Sequence, residues 1–598
     1  MIQERKDIDA KYKWDLSVLF ADEAAFDAEY AALEAQIRAF AAHESTMNQS
    51  AEALCAALKE EYAISDRMGK LWQYASLNAC VDLSDPVAQG RQTRVRNLYT
   101  LFEETAYFTS PRILSVSDEA LEAWMTEYPP LGEFRRVLAG YMRWRPHALS
   151  DEGEKLRAQM SDALGSHAEI YGLLTDSDMR FGFIRGENGE RTELSDTNYT
   201  RFIMSEDRRV RRAAFTALYK TYAQFKGSVS AIYAARVKEA GVNAKLRKYP
   251  DAITASTDGD EVTPEIYNNL IKTVKGGLPV LHEYYAMKRE FLGVPKLHLY
   301  DVYAPLVGSS QKGYTYEEAV DEVLATVRVF GKEYEDTLRE GLLSRGWADV
   351  YPSRGKRGGA FSSGSALTEP YILLNFNGMY NDVSTLAHEA GHSMHSWYSK
   401  NANPSQDMHP TIFVAEVAST VNELLFAHRK LKESESREER LFILNKLMET
   451  YRGTLYRQTM FAEFERDMHA ASERGEPLTS DFLCGHYYAL NQKYFGDGVV
   501  CDEAIRYEWE RIPHFYTCFY VYKYATCISA ASTIVKRIET EGEAYVQGYL
   551  DFLKCGGAKS PLDSLLVAGV DMTKPEVIEN AITDFADTIR QFKELYEE

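Results

Sequence analysis

Hydrophobic residues recur at three- and four-residue steps through most of this 598-residue chain, which is the spacing of one face of an α-helix. Residues 22–42 show the pattern clearly and are rich in alanine and glutamate, two strong helix formers. The same pattern returns in segments 51–80, 86–108, 153–173, 205–240, 263–292, 316–342 and 436–472. Helices this long and this numerous predict a mainly α-helical protein built from bundles.

The helical pattern is interrupted at about residues 180–195. Two short β-like runs, FGFIR and RTEL, flank the sequence Gly-Glu-Asn-Gly-Glu at 186–190, whose composition is typical of a hairpin turn. We therefore expect a strand pair at this point and a domain boundary near it. The resulting prediction is an N-terminal helical domain at residues 1–195 and a second helical domain at residues 196–598, which contains the chemical motifs described below.

A second departure from the helical pattern spans residues 350–380. Its first part is rich in glycine and serine and predicts a loop, and its second part, Pro370 to Phe376, reads as a short strand. An extended peptide could pair its backbone with such a segment, which is the β-augmentation mode of peptide recognition. An ordinary surface loop followed by a core strand explains the same residues equally well.

The bulk composition narrows the classes of protein. The chain is 45% hydrophobic and 26% charged, as in ordinary globular proteins, and its net charge of −21 opposes sequence-independent binding of nucleic acid. No segment has the apolar length of a membrane span, and the N-terminus lacks a signal-peptide pattern. The seven cysteines are scattered and contain no CxxC pair, which argues against disulfides and a thiolate zinc ribbon. We therefore expect a cytoplasmic protein that binds neither nucleic acid nor membrane; its oligomeric state is not predicted.

The main chemical signal is the sequence His388-Glu389-Ala390-Gly391-His392, which lies within a predicted helix. Two histidines four residues apart share a helix face, so both imidazoles can reach one ion. Zinc accepts such ligands, and the glutamate beside them can act on a water molecule without being a ligand itself. The interpretation is a zinc site with His388 and His392 as ligands and Glu389 as general base. A pair of helix histidines without a metal is the alternative.

A third ligand is expected because catalytic zinc usually has three protein ligands and one open position. Glu416 follows His392 by 24 residues, near the start of a second helical pattern, and its neighbours are apolar or small. An unpaired acid in such surroundings is unfavourable, and a metal would relieve the cost. We predict Glu416 as the third ligand and expect one Zn²⁺ per chain; a solvated glutamate on an amphipathic helix is the alternative.

Two further residues near this site need an interpretation. His395 could share the face of His392. A metzincin, however, requires the longer pattern HExxHxxGxxH, and the residues that follow His395 here are Ser396, Trp397 and Tyr398, which excludes that class. We interpret His395 as a packing residue or a neighbour of a ligand. Glu423 lies two helical turns after Glu416 and could orient a ligand histidine; it could equally be a surface acid.

These motifs together resemble the thimet-oligopeptidase-like metallopeptidases, and within them the oligoendopeptidase F group. The resemblance rests on HEAGHSMH, VAEVAST, KRGGAFSSG, RIPHFYTCFYVYKYA at 511–525 and LDFLKCGGAKSPLDSLLVAGVDM at 550–572. It implies a multi-helical ellipsoid with a deep central substrate channel, with the small β-sheet near the active site. It also implies one zinc ion and cleavage of oligopeptides rather than of folded proteins.

The resemblance extends to a substrate-contacting loop. His514 matches a histidine that contacts substrate, and a tyrosine of the same loop should assist it. Tyr520, Tyr522 and Tyr524 all compete for that position, and Tyr522 and Tyr524 are the preferred pair. Each of these tyrosines could instead be an aromatic core residue.

The function predicted from these observations is zinc-dependent hydrolysis of internal peptide bonds in short oligopeptides. Glu389 would take a proton from water and pass it to the leaving amine, and His514 with a loop tyrosine would stabilise the oxyanion. One alternative is a non-catalytic peptide-binding protein with a structural zinc site, although such a protein would not need Glu389. Another is an esterase or deacylase that uses the same zinc site.

Overall fold

The computed structural model describes residues 3–308 and 313–597, and most of them are helical. Predicted and observed helices agree closely at the N-terminus. Two of the long predicted segments are each divided into two helices at a glycine: 263–292 at Gly277 and 316–342 at Gly331. The α-helices in chain order are α1 (Glu23–Phe40), α2 (Ala51–Val81), α3 (Pro86–Thr105), α4 (Thr109–Leu114), α5 (Asp118–Glu127), α6 (Pro129–Gly132), α7 (Arg135–Trp144), α8 (Asp151–Gly165), α9 (His167–Gly172), α10 (Asp196–Ile203), α11 (Arg208–Leu246), α12 (Ala252–Asp258), α13 (Pro264–Gly276), α14 (Leu278–Phe291), α15 (Tyr316–Val327), α16 (Lys332–Leu343), α17 (Tyr380–Ala402), α18 (Ile412–Glu433), α19 (Arg437–Thr450), α20 (Arg457–Glu473), α21 (Ser480–Phe495), α22 (Tyr522–Glu541), α23 (Glu543–Cys555), α24 (Pro561–Val567) and α25 (Glu576–Glu597).

Short strands interrupt the helices in a few places. They are β1 (Phe183–Arg185), β2 (Arg191–Glu193), β3 (Leu297–His298), β4 (Ala348–Asp349), β5 (Phe361–Ser363), β6 (Tyr371–Leu373) and β7 (Val499–Val500). Strands β1 and β2 form the predicted antiparallel hairpin, with Ile184 opposite Thr192. The mainly α-helical fold class is thereby confirmed, while the ellipsoidal outline and the channel stay predictions.

The contacts between residues divide the chain into two compact units. The first unit comprises Met1–Ala148, Gln311–Arg429 and Ile534–Gly569; the second comprises Leu149–Ser310, Lys430–Thr533 and Val570–Glu598. Each unit is therefore assembled from three separate stretches of sequence. This division differs from the predicted one at residue 195, and the sequential pair of domains, 1–195 and 196–598, stays a prediction.

The N-terminal residues belong to the first unit because they pack against its sheet. Trp14 is buried, and its indole Nε1 donates hydrogen bonds to the carbonyl oxygens of Trp347 (3.0 Å) and Ile372 (3.1 Å). Tyr371 and Leu373 of β6 lie in the same hydrophobic core as the apolar faces of helices α1 to α3. Contacts between residues more than 300 positions apart leave no periodic signal in the sequence.

The sheet of the first unit has the strand order β4-β6-β5, with β6 parallel to β4 and antiparallel to β5. The run Pro370–Phe376, expected to offer an edge to a peptide, therefore contains the central strand. The strands at the two edges are β4 and β5, and β5 comes from the glycine-rich stretch before β6. The sheet lies beside α17, and the hydroxyl groups of Ser362 and Ser393 are 2.8 Å apart.

The second unit is organised around α11, a helix of 39 residues. Its buried face packs against α10, α20 and the 3-10 helix Glu503–Arg511. Leu297 and His298 of β3 pair in parallel with Val499 and Val500 of β7. No helix among the described residues combines the length and the apolar character that crossing a bilayer requires.

Candidate metal centre

Helix α17 carries the two candidate histidine ligands. It begins at Tyr380, and its N-cap is Met379, which is not one of the residue types preferred at that position. Asp382 nevertheless stabilises this end from the third helical position, because its Oδ2 accepts hydrogen bonds from the backbone nitrogens of Met379 and Asn377, both at 2.9 Å. The local sequence thus sets the start of the helix.

Helix α18 lies close against α17 at Gly391. A Cβ atom added to Gly391 would lie 2.6 Å from the carbonyl oxygen of Ala418 and 2.6 Å from the Cα of Ser419, which is closer than real side chains approach. The buried Asn422 of α18 connects the two helices further, since its Nδ2 donates to the carbonyl oxygen of Ala387 at 3.1 Å. The glycine that weakens helix propensity therefore allows two backbones to approach closely.

This approach brings the three predicted ligands together. His388 Nε2 and His392 Nε2 are 3.2 Å apart, and Glu416 Oε2 lies 3.4 Å from the first and 3.5 Å from the second. Tetrahedral zinc with ligand bonds of ~2.0–2.1 Å separates its ligand atoms by ~3.3 Å. The three side chains thus have the identities and the spacing that a zinc ion requires.

The charges at this site favour a cation. Burial would lower the pKa of His388, but the hydrogen bond to Glu423 and the charges of the nearby carboxylates raise it to about 9. A hydrogen bond with His392 lowers the pKa of Glu416 to about 2 and keeps this carboxylate ionised. The Glu416 side chain is 40% exposed, so the site is open to solvent and to a ligand.

Two neighbouring side chains hold the ligands in position. His388 Nδ1 donates to Glu423 Oε2 at 3.0 Å, which leaves the lone pair of Nε2 directed to the other ligands. Ser419 Oγ donates to Glu416 Oε2 at 3.1 Å. Of the two alternatives for Glu423, its hydrogen bond with His388 favours the acid that orients a candidate ligand. The contact of Ser419 with Glu416 was not predicted; its only signal in the sequence is a hydroxyl three residues after Glu416.

Glu389 is buried beside the ligands, and its Oε2 atom has no hydrogen-bond partner in the described part of the chain. Burial raises the pKa of the Glu389 carboxyl, and the neighbouring His388 and His392 oppose this shift only in part. A buried acid with a raised pKa is suited to accept and release a proton near neutral pH. His395, in contrast, is a packing residue: it is buried against Phe552, and burial lowers its pKa to about 3.

The predicted substrate loop lies in the second unit and groups three aromatic residues. His514 is exposed, and its Nε2 lies 3.4 Å from the hydroxyl of Tyr524. The ring of Tyr520 stacks on His514 at 6.0 Å and meets Tyr524 edge-on at 5.5 Å. The three residues thus form one cluster at the start of α22.

Tyr522 is separate from this cluster. Its side chain is fully buried, and its ring packs at 4.8 Å against Tyr267. Residues two apart at the start of a helix point in different directions, so Tyr520 and Tyr524 can share a cluster from which Tyr522 is turned away. The structure thus places Tyr524 with His514 and Tyr522 away from them, and the preferred pair of Tyr522 and Tyr524 stays a prediction.

Comparisons with known proteins show the family of the chain. Residues 201–584 match the profile of Peptidase family M3, and residues 112–181 match an N-terminal profile described as Oligopeptidase F. The chain belongs to peptidase family M3, whose members are metallopeptidases. It is a peptidase that hydrolyses oligopeptides, and the predicted resemblance is confirmed.

Individual relatives cover nearly the whole chain. The chain is 40% identical to the oligopeptidase PepF of Bacillus subtilis over 594 residues, which is 99% of this chain and 88% of that protein. It is 34% identical to the Group B oligopeptidase PepB of Streptococcus agalactiae, over 100% and 99% of the two chains. Its structure is similar to that of oligoendopeptidase-F from Enterococcus faecium, with a TM-score of 0.75 and 31% identity over 96% and 99% of the two chains.

Proposed function

We propose that this chain is a zinc-dependent endopeptidase that cleaves internal bonds of short oligopeptides, with His388, His392 and Glu416 holding one zinc ion and Glu389 as general base. The observation that carries the proposal is the triangle of ligand atoms, whose sides of 3.2 to 3.5 Å match tetrahedral zinc. When bound, zinc would polarise the scissile carbonyl and acidify a water molecule.

Glu389 supplies the proton transfers. Its Oε2 atom, which has no hydrogen-bond partner among the residues that the structure describes, accepts a proton from the attacking water and then delivers it to the nitrogen of the leaving amine. Burial supports both steps, because the raised pKa makes the protonated form of Glu389 accessible during the reaction. Glu423 acts indirectly by holding the ring of His388 through Nδ1.

Substrate contact is proposed for the aromatic cluster of the second unit. His514 and Tyr524 carry the polar atoms of this cluster, and we propose them as donors to the carbonyl oxygen as it gains negative charge. Tyr522 and Tyr524 are the pair that the sequence favours; we take Tyr520 as the alternative to Tyr522, because Tyr520 lies beside His514 whereas Tyr522 is buried against Tyr267. What supports this assignment is the resemblance of the loop to its family counterpart together with the exposure of His514.

The edge strand β5 is a candidate for holding the peptide backbone. Phe361–Ser363 pairs on one side only, with β6, and it lies beside the helix that carries the metal ligands. An extended peptide could add to its other side. Substituting Ser362 with proline would remove a backbone donor there, and an unchanged KM for peptides in a folded variant would contradict this role.

A cytoplasmic location is also proposed, on different evidence. All seven cysteines are free thiols, five of them buried, as is usual in a reducing compartment. Cell fractionation tests this proposal directly, and recovery of the protein outside the cytoplasmic fraction would contradict it.

The central test is the substitution Glu389→Gln, with Glu435→Gln as a matched control at an exposed glutamate outside the site. We expect Glu389→Gln to retain the zinc ion held by His388, His392 and Glu416 while kcat/KM falls by about 10²–10⁴-fold, the usual contribution of acid–base catalysis. The control should resemble the wild type in both measurements. Mass spectrometry of the products from a defined set of peptides reads the position of cleavage.

Three results would overturn the proposal. Turnover by Glu389→Gln at the wild-type rate would exclude the general-base role, and products released only from peptide ends would exclude endopeptidase action. Peptide binding without cleavage by fully zinc-loaded wild-type protein would favour the alternative of a non-catalytic binding protein. A series of peptides of increasing length would show the upper size limit.

A further inference from the structure

A second group of metal-binding residue types lies in the second unit, apart from the proposed catalytic ligands. Glu465 and His469 are four residues apart on α20 and share one face, as zinc-binding pairs do. Cys518 lies in the loop before α22. One ligand atom from each of these three side chains lies within 4.8 Å of the other two.

The polar atoms of this cluster lack the partners that burial normally requires. Glu465 and His469 are 0% and 2% exposed, and both ring nitrogens of His469 have no hydrogen-bond partner among the described residues. Glu465 Oε1 accepts a hydrogen bond from the backbone nitrogen of Phe519 at 2.7 Å, but its Oε2 has no such partner. Three unsatisfied atoms from two fully buried side chains are unusual in a native core and call for a ligand.

The cation that lies near these three side chains is committed to other partners. Arg236 is the nearby cation, and it is already engaged with Glu239 and with the carbonyl oxygen of Tyr516.

We propose that Glu465, His469 and Cys518 form a second, structural site for a divalent metal, distinct from the catalytic one. Zinc fits this donor set best, because it accepts carboxylate, imidazole and thiolate together. Its ligand atoms would be ~3.3–3.6 Å apart for the usual bond lengths, so the side chains would draw together by about 1 Å on binding. A thiolate, a carboxylate and a dication leave the buried site without net charge.

The site would fix the conformation of the loop that carries His514. Phe519 has a φ of 55°, in the left-handed region that is unfavourable for an aromatic residue, and its ring packs on His469 at 4.6 Å. Its backbone nitrogen is held by Glu465. A metal bound by Glu465, His469 and Cys518 would therefore hold the residues that contact or precede Phe519. This strained residue lies one position before Tyr520.

Cobalt substitution distinguishes the two sites, because only the second contains sulfur. Apo-protein titrated with Co²⁺ should bind two equivalents and develop a sulfur-to-cobalt charge-transfer band in the near ultraviolet. The substitution Cys518→Ser should abolish the band and one equivalent of metal. The pair of substitutions His388→Ala and His392→Ala should remove the other equivalent and keep the band, and Cys501→Ser serves as the matched control that keeps both.

The proposal fails if wild-type protein binds one equivalent of zinc or cobalt and shows no charge-transfer band. It also fails if the band persists in Cys518→Ser. Both the metal count and the band of the wild type are informative even if Cys518→Ser does not fold, which circular dichroism would show. The catalytic proposal is tested separately, because the variant lacking His388 and His392 loses peptide hydrolysis whether or not the second site exists.

Discussion

The close contact of α17 and α18 can be tested by the substitution Gly391→Ala. The new Cβ would lie 2.6 Å from two backbone atoms of α18, which is about 0.8 Å less than the 3.4 Å at which ordinary contact begins. Backbone atoms cannot rotate away as the end of a side chain can. The two helices must therefore separate, or the metal ligands must shift.

The size of the effect follows from the ligand triangle. A separation of about 0.8 Å would widen the distance from His392 Nε2 to Glu416 Oε2 from 3.5 Å to about 4.3 Å, beyond the spacing of tetrahedral zinc. Misplacement of a catalytic group by ~1 Å reduces rates by ~10²-fold. Overpacking costs about 1–3 kcal/mol of stability, and the better helix propensity of alanine returns about 1 kcal/mol. We expect kcat/KM and zinc affinity to fall by about 10²-fold with a net destabilisation of about 0–2 kcal/mol.

The assays are zinc competition with a chelator, kcat/KM on a quenched fluorescent peptide, and denaturant unfolding. Gly227→Ala is the matched control, because Gly227 lies within helix α11 with nothing within 4 Å of an added Cβ. This control should be unchanged or slightly more stable. If Gly391→Ala bound zinc and cleaved peptide as the wild type does, the argument that Gly391 sets the ligand geometry would be wrong.

Three further predictions concern single side chains. Glu423→Ala should lower zinc affinity or kcat/KM by about 10–100-fold by freeing the ring of His388, and wild-type values in both would contradict the orienting role. Glu389 must be ionised to accept a proton, and burial raises its pKa above the ~4.3 of an exposed glutamate. We therefore expect kcat/KM to fall on acidification at a pH above ~4.3. A fall in kcat/KM only at or below that pH, measured at constant zinc content, would contradict this prediction. Tyr524→Phe should lower kcat by about 10²-fold, whereas Tyr522→Phe should change stability alone; the opposite result would make Tyr522 the substrate contact.

The convergence of the three candidate ligands could be predicted from sequence because their positions follow helix geometry. His388 and His392 are one turn apart, so their convergence requires nothing beyond a helix. Glu416 required a further inference, namely that a second helix returns to the first, and small residues at both contact surfaces indicated this. Glu423 followed from the spacing of two turns along the same helix face.

The loop residues could not be predicted in the same way. Tyr520, Tyr522 and Tyr524 precede or begin a helix, after a 3-10 turn and a residue with positive φ, and no simple period describes such backbone. The buried position of Tyr522 depends on Tyr267, which is 255 residues earlier in the chain. The unit boundaries were unpredictable for the same reason, since Trp14 and Ile372 meet only after folding.

The residues that pack helices α17 and α18 together in the first unit also position the candidate metal ligands. Gly391, Ala387 and Asn422 form the contact between α17 and α18, and that contact determines the distance from Glu416 to the histidines. Ligand geometry at this site is thus a consequence of backbone packing rather than of side-chain rotamers alone. Because a bound metal links the two helices at the same place, metal binding and helix packing must stabilise each other, and a substitution that loosens either should weaken both.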